Sequence, residues 1–312
     1  MSIEEDDGRN PVVRRRRLRS ELRRGRREAG LTQEQVANQM DWSLSKIIRI
    51  ENGSVGISTN DLRAVLALYG ISDAERVSEL VDLARAAKER SWWSQFSDVA
   101  PSPFLELVQY EAAAYICRSY EPQIIPGPLQ TEEYAREILR QFFGETIDNA
   151  SEEQLDRLTD HAVRLRLKRQ EMLERPNPPQ YHSVIDEAAI RRIVGGSSVM
   201  REQLRKLAEM TERPGVTVEV IPFSSGIHPN LTTPFLILEF PDAADEDILY
   251  LERIDGDLIY RDDIKEIIRY REAFDKLRKL SLGPRSVAFI REVAEGFGSK
   301  PVDATLKEYV ER

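Results

Sequence analysis

Hydrophobic positions recur at helical spacing through about residue 90, then give way to short β-branched runs after residue 180. Residues 12–29, VVRRRRLRSELRRGRREA, read as a helix, with Leu18 and Leu22 on one face at i, i+4 and Gly30 placed to end it. Gly25 lies inside that helix, where Gly costs about 1 kcal/mol relative to Ala. Thr32-Gln33-Glu34-Gln35 has the form of a capping box, which predicts a short helix through Met40 with Val36, Ala37 and Met40 facing inward. Asp41-Trp42-Ser43 interrupts the pattern. Ser43 is then a good N-cap for a second short helix, Leu44 to Glu51, closed by Asn52-Gly53. A further helix is expected over Ser58–Tyr69, stopped by Gly70. Ser72-Asp73-Ala74-Glu75 reads as a second capping box, opening a helix to about Arg90. Two short helices joined by a tight turn, inside a five-helix array, form the helix-turn-helix layout.

Beyond residue 90 the texture changes. Trp92 and Trp93 begin an aromatic-containing stretch, and Ser102-Pro103 starts a helix expected to reach about Arg118. Pro122–Pro128 (PQIIPGP) reads as a rigid linker. Thr131 opens a helix to Phe143, a capping box at Ser151 opens another to about Leu173, and Arg175–Pro179 breaks the chain. Tyr181–Ile185, Val216–Ile221, Phe235–Phe240 and Ile248–Arg253 carry strand signals. Between and after them, Glu187–Val194, Ser198–Thr211, Asp262–Leu280 and Pro284–Glu295 read as helices. The expected fold class is therefore α+β multidomain. An all-α helix-turn-helix domain at 12–90 follows a disordered tail at 1–11. A mixed α/β domain at 91–312 has a small, at least partly antiparallel sheet flanked by helices.

Charge sharpens this division. The chain of 312 residues has a net charge of −9. Residues 9–70 carry 13 bases against 6 acids (+7), whereas residues 71–312 carry 32 bases against 44 acids (−12). A basic module on an acidic body points to a polyanion as the partner of that module alone. No apolar run approaches the roughly 20 residues a membrane span needs. The N-terminus lacks the apolar core of a signal peptide, so the expected location is the cytoplasm and no membrane partner is expected. One cysteine, Cys117, and three dispersed histidines provide no disulfide framework and no metal-ligand spacing; no metal and no cofactor are expected.

Residues 31–72, with Leu31-Thr32-Gln33, Ala37, Ser43, Ser45-Lys46 and Arg49-Ile50-Glu51-Asn52-Gly53, resemble the Xre and phage-repressor helix-turn-helix family. That resemblance implies a DNA-binding transcription regulator. A recognition helix at about 44–51 reads too few base pairs alone, so a homodimer on a pseudo-palindromic operator is expected, with a repressor preferred over an activator. Ile47 and Ile50 would bury that helix against its neighbours. Leu44, Ser45, Lys46 and Arg49 become base-edge candidates, Arg49 suiting a bidentate guanine contact. Gln33 and Ser43, at helix N-termini, suit phosphate. Lys46 fits a phosphate as well as a base, and Ser43 is also a plain N-cap. The resemblance further implies that Arg26 and Glu51 form an internal ion pair. Asp41 stands where the family usually has Gly in a left-handed turn, and Trp42 is larger than the usual aliphatic residue.

Pro126-Gly127-Pro128-Leu129-Gln130-Thr131 with Tyr134-Ala135 resembles a motif of the WhiJ-like actinobacterial regulators, with Pro128 in place of Leu. Arg169-Gln170, Asp186-Glu187-Ala188, Met200, Gln203-Leu204, Leu207, Val220-Ile221-Pro222-Phe223, Pro234-Phe235 and Tyr250-Leu251-Glu252 extend the likeness over about 92–295. The family implies a transcription regulator, commonly encoded beside a small partner protein. A ligand-sensing C-terminal domain is one expectation, with Glu187, Ser224, His228 and Glu252 as ligand-binding candidates. A partner-regulated or antitoxin-like domain that binds a small protein is the alternative. Ser224 or Ser225, His228 and Asp186 can be written as a hydrolase triad, but no GxSxG elbow or phosphate-binding Gly loop accompanies them, and an enzyme is not expected.

Overall fold

The computed structural model describes residues 11–51, 55–86, 92–147, 149–228, 230–241, 247–252, 258–260 and 264–299. The expected N-terminal tail and the Asn52-Gly53 turn lie outside the described residues, apart from Pro11. The chain divides into two compact units, residues 1–94 with 240–246 and residues 95–239 with 247–312.

Among its described residues the first unit has five helices: α1 (Pro11–Glu28), α2 (Gln33–Gln39), α3 (Leu44–Glu51), α4 (Thr59–Leu68) and α5 (Ala74–Ala86). Each boundary has a local cause. Thr32 and Gln35 close the expected capping box in both directions. Asp41 adopts φ 54, the left-handed geometry that Asp tolerates better than most residues. Ser58 caps α4 by accepting from the Asp61 N–H at 3.1 Å. The cap of α5 is Asp73, not the expected Ser72: the Arg76 N–H donates to Asp73 Oδ2 at 2.8 Å. Leu18, Leu22, Val36, Ile47, Ile50, Leu62, Val65 and Leu80 meet in one core. Gly25 belongs there for a steric reason. A Cβ at that position would lie 3.0 Å from Ile71 Cδ1 and 3.1 Å from Tyr69 Cδ2.

The second unit is built on a mixed sheet of six described strands: β1 (Ile116–Glu121), β2 (Gln180–Asp186), β3 (Val216–Ile221), β4 (Phe235–Glu239), β5 (Ile248–Leu251) and β6 (Leu258–Tyr260). Their order is β3-β2-β1-β4-β5-β6. The strands β1, β2 and β3 pair in parallel, and β4, β5 and β6 add antiparallel, as the partly antiparallel expectation required. Around the sheet lie α6 (Ser102–Glu111), α7 (Glu132–Thr146), α8 (Glu152–Gln170), α9 (Glu187–Arg191), α10 (Ser197–Met210), α11 (Ile264–Leu280) and α12 (Ser286–Ser299). One sheet face buries Tyr120, Val184, Phe235, Ile237 and Leu249 against Ile267, Phe274 and Leu277 of α11. The edge strand β3 is covered: Ser286 Oγ accepts from the Val220 N–H at 2.9 Å, and the Leu282 N–H donates to the Val220 carbonyl at 2.8 Å.

Two sequence expectations are corrected here. The helix expected to reach Arg118 ends at Glu111, and the following residues form β1, the central strand. The PQIIPGP segment is no linker. Ile125 and Leu129 are fully buried, and residues Gly127–Leu129 form a 3-10 turn packed into the unit.

Candidate nucleic-acid interface and ligand cleft

The recognition helix α3 is sharply two-sided. Ile47, Ile50 and Glu51 are buried, while Leu44, Ser45, Ile48 and Arg49 are exposed. These four fall at i, i+1, i+4 and i+5, a single stripe along the helix. Ser43 Oγ accepts from the Lys46 N–H at 3.2 Å and so caps the helix while staying exposed. The Lys46 ammonium lies 3.8 Å from the centre of the Trp42 ring and 3.2 Å from Asp61 Oδ2. Trp42 itself packs on the core, so it serves as a platform for that cation. Gln33 is directed inward: its amide donates to Glu51 Oε2 at 2.8 Å. Ile48 escaped the sequence reading, although its i, i+4 spacing from Leu44 marks it. With Leu44 it gives the stripe two exposed aliphatic groups, the type that meets thymine methyls.

The stripe rests on a buried ion pair. Arg26 Nε and Nη2 donate to the two Glu51 carboxylate oxygens at 2.7 and 3.1 Å, and Arg26 Nη1 donates to the Leu31 carbonyl at 2.9 Å. The pair ties α1, the start of α2 and the end of α3 together. Burial, and then the Glu51 charge, push the Tyr69 phenol above its usual pKa. Elsewhere α1 spends part of its positive charge internally: Arg17 pairs with Glu79 at 3.0 Å, and Glu21 joins Arg24 and Arg76.

In the second unit the sheet face opposite α11 carries Tyr181, Ser119, Leu236 and Tyr250 in adjacent strands; Ser119 pairs with Leu236, and Leu236 with Tyr250. Their row opens into a cleft of about 80 Å³ at the carboxyl end of β1, lined also by Glu121, Gln130, Arg166, Arg169 and Glu252. The segment expected to be a linker forms one wall. Arg166 Nη1 donates to Gln130 Oε1 at 2.7 Å, and Gln130 Nε2 donates to the Ile125 carbonyl at 2.7 Å. Gln170 and Lys206 both donate to the Gln130 carbonyl, at 2.8 and 2.7 Å. Gln203 donates to the Leu129 carbonyl and accepts from the Thr131 N–H, at 2.8 and 2.7 Å. Gln130, Thr131, Gln170 and Gln203, noted separately in the sequence, thus meet around the segment that forms this wall, and Arg169 lines the cleft beside it.

Arg169 is committed to the structure. It holds Glu111 through both oxygens. Burial opposes its charge, but the Glu111 carboxylate keeps the guanidinium pKa above its ordinary value. Of the four ligand candidates read from sequence, Glu252 alone lines the cleft. Glu187 accepts from the Phe223 N–H at 2.7 Å and from Arg191 Nε at 2.5 Å. Ser224 is exposed on a 3-10 turn. His228 is buried, edge-on to Tyr120 at 5.9 Å between ring centroids, with Nε2 3.8 Å from Asp186 Oδ2. Neither His228 ring nitrogen has a hydrogen-bond partner among the described residues, and Ser225 Oγ donates to the Leu280 carbonyl. The triad written from sequence is not assembled.

A capped, tightly turned helix pair presenting one exposed polar and aliphatic stripe is a DNA-binding helix-turn-helix module. Residues 17–78 match the family described as a helix-turn-helix domain. Residues 104–292 match the family described as domain of unknown function DUF5753, and the chain belongs to that family. No curated protein and no solved structure matches the chain. Among the described residues no helix is long and apolar enough to cross a membrane.

Proposed function

We propose that the protein is a cytoplasmic, sequence-specific transcription regulator of the Xre type with a WhiJ-like C-terminal domain, and that it acts as a repressor. The observation carrying this reading is the exposed stripe Leu44, Ser45, Ile48 and Arg49 above a buried Ile47, Ile50 and Glu51. One such helix reads too few base pairs for an operator. A homodimer on a pseudo-palindrome, its half-sites about 34 Å apart, supplies the rest. The C-terminal unit is the input: its polar cleft favours sensing of a small molecule over catalysis. One observation favours a small partner protein instead. The turn after β3 exposes Phe223 and Ile227, the latter 89% accessible.

The test of the output is a salt titration of full-length protein against labelled duplex DNA. Log affinity should fall linearly with log salt. Salt-independent binding, or none at any salt, would overturn the DNA-binding reading.

A further inference from the structure

The recognition helix carries two cations, and the structure uses them differently. Arg49 stands on the exposed stripe, whereas Lys46 flanks the stripe and is half-buried. The Lys46 ammonium is folded back onto the Trp42 ring, 3.8 Å from its centre, and meets Asp61 Oδ2 of α4 at 3.2 Å. The backbone pins both partners. Each is the third residue of its helix and donates its N–H to the serine that caps it, Lys46 to Ser43 Oγ and Asp61 to Ser58 Oγ. Trp42, the bulky residue in the turn before α3, is fixed by its packing on the core.

A cation in the first turn of a helix faces the positive end of the macrodipole, and a carboxylate there is favoured. Lys46 therefore stands where its own helix opposes its charge, and Asp61 where its helix supports it. Their contact, with the face of the indole behind the ammonium, offsets the position of Lys46. A partly exposed pair adds little to stability, so its consequence lies in the field it presents to DNA. Toward a polyanion the pair has no net charge: the Lys46 cation is cancelled by a carboxylate 3.2 Å away. A phosphate can draw Lys46 off only by leaving Asp61 uncompensated beside the recognition helix.

We propose that Asp61 attenuates the module's sequence-independent hold on DNA. It keeps Lys46 on the Trp42 platform, and it, rather than a phosphate or a base edge, is the partner of that cation. The module then grips DNA with one cation fewer than its recognition helix carries, and base reading is left to Leu44, Ser45, Ile48 and Arg49. The proposal rests on the DNA-binding reading and gives a role to a residue outside the helix-turn-helix pair.

The test is the salt dependence of full-length protein binding to a mixed-sequence duplex, compared among wild type, Asp61→Asn, Lys46→Gln and the double variant, with melting temperatures taken alongside. Asp61→Asn keeps the side-chain size and the capped N–H and releases the Lys46 charge. It should steepen the log–log slope by about 0.9 per bound protomer and tighten binding roughly five- to tenfold at about 0.1 M salt. Lys46→Gln uncovers Asp61 and should weaken binding. The double variant puts a neutral pair in place of a neutralised one and should return to the wild-type slope. Asp82→Asn, which removes an acid paired with Arg85 on its own helix, α5, should leave the slope unchanged. An unchanged slope in Asp61→Asn overturns the proposal. If Lys46→Gln and the double variant are then both shallower by about 0.9, Lys46 is a direct phosphate contact. If only the melting temperature falls, Asp61 is an acid that serves its helix end. Equal steepening by Asp82→Asn overturns it too, reducing the effect to overall charge. Should Asp61→Asn fail to fold, Asp61→Ser, which also removes the carboxylate, takes its place. Wild-type protein that binds no duplex at any salt overturns the DNA-binding reading itself, and the proposal with it.

Discussion

Arg26 and Glu51 form a two-pronged ion pair across 25 residues of sequence, with Glu51 only 2% exposed. Glu51 is the last residue of the recognition helix, so the pair sets where that helix stands on α1. Removing one partner leaves a buried charge uncompensated. Glu51→Ala and Arg26→Ala should each destabilise the helix-turn-helix unit by about 3–5 kcal/mol. Hydrogen exchange of α1–α5 amides measures this directly; a loss below about 1 kcal/mol would place the pair among weak surface bridges.

Arg49 should read a base. Arg49→Ala is expected to cost about 1–3 kcal/mol at one base-pair position and to relax preference there. Ile48→Ala should weaken preference for thymine at a neighbouring position without changing the salt slope, because it removes a methyl contact and no charge. Competition binding with single-position operator variants separates the two. Equal loss on specific and random DNA would remove Arg49 from base reading.

Two helical glycines should respond oppositely to the same substitution. Gly144 in α7 has open space where a Cβ would go, so Gly144→Ala should stabilise by roughly 0.5–1 kcal/mol. Gly25→Ala puts its methyl 3.0 Å from Ile71 Cδ1, and overpacking of about 1–3 kcal/mol offsets or exceeds the helix-propensity gain. Thermal melts of both variants check the contrast.

Glu121 gives the second unit a pH dependence of defined sign. Its pKa rises on folding from 4.5 to about 8, so the folded state holds a proton the unfolded chain releases. Its stabilising contribution is present below about pH 4.5 and is lost as pH rises through about 8, on the order of a few kcal/mol in all. Glu121→Gln removes that slope. Its melting temperature relative to wild type should therefore climb from about pH 5 to about pH 9. Glu252, Arg166 and Arg169 face the same carboxyl, and neither cation titrates in that window.

The helix-turn-helix unit was readable because its signals are local. Caps at Thr32 and Ser43 and the buried pair Ile47 and Ile50 depend on neighbours a turn away. The fold class of the second unit was also legible, since β2, β3, β4 and β5 carry β-branched apolar runs. Its central strand was not. In ICRSYE, Ser119 and Glu121 occupy positions on the cleft side, so the apolar alternation that marks a strand is absent where the cleft is lined. Pro122–Pro128 looked like a linker for a related reason. Its composition is that of a loop, and what fixes it comes from Gln170, Gln203 and Lys206, remote in sequence. The cleft is a tertiary product; of its charged residues, Glu252 alone was singled out as a ligand candidate.

Sequence-specific recognition is tested most directly by selection from random duplex DNA with purified full-length protein at two salt concentrations, with Arg49→Ala in parallel. The expected result is an enriched pseudo-palindrome, its half-sites about one helical turn apart, that Arg49→Ala fails to enrich at one symmetric position. Binding that falls with salt and enriches no sequence would contradict it.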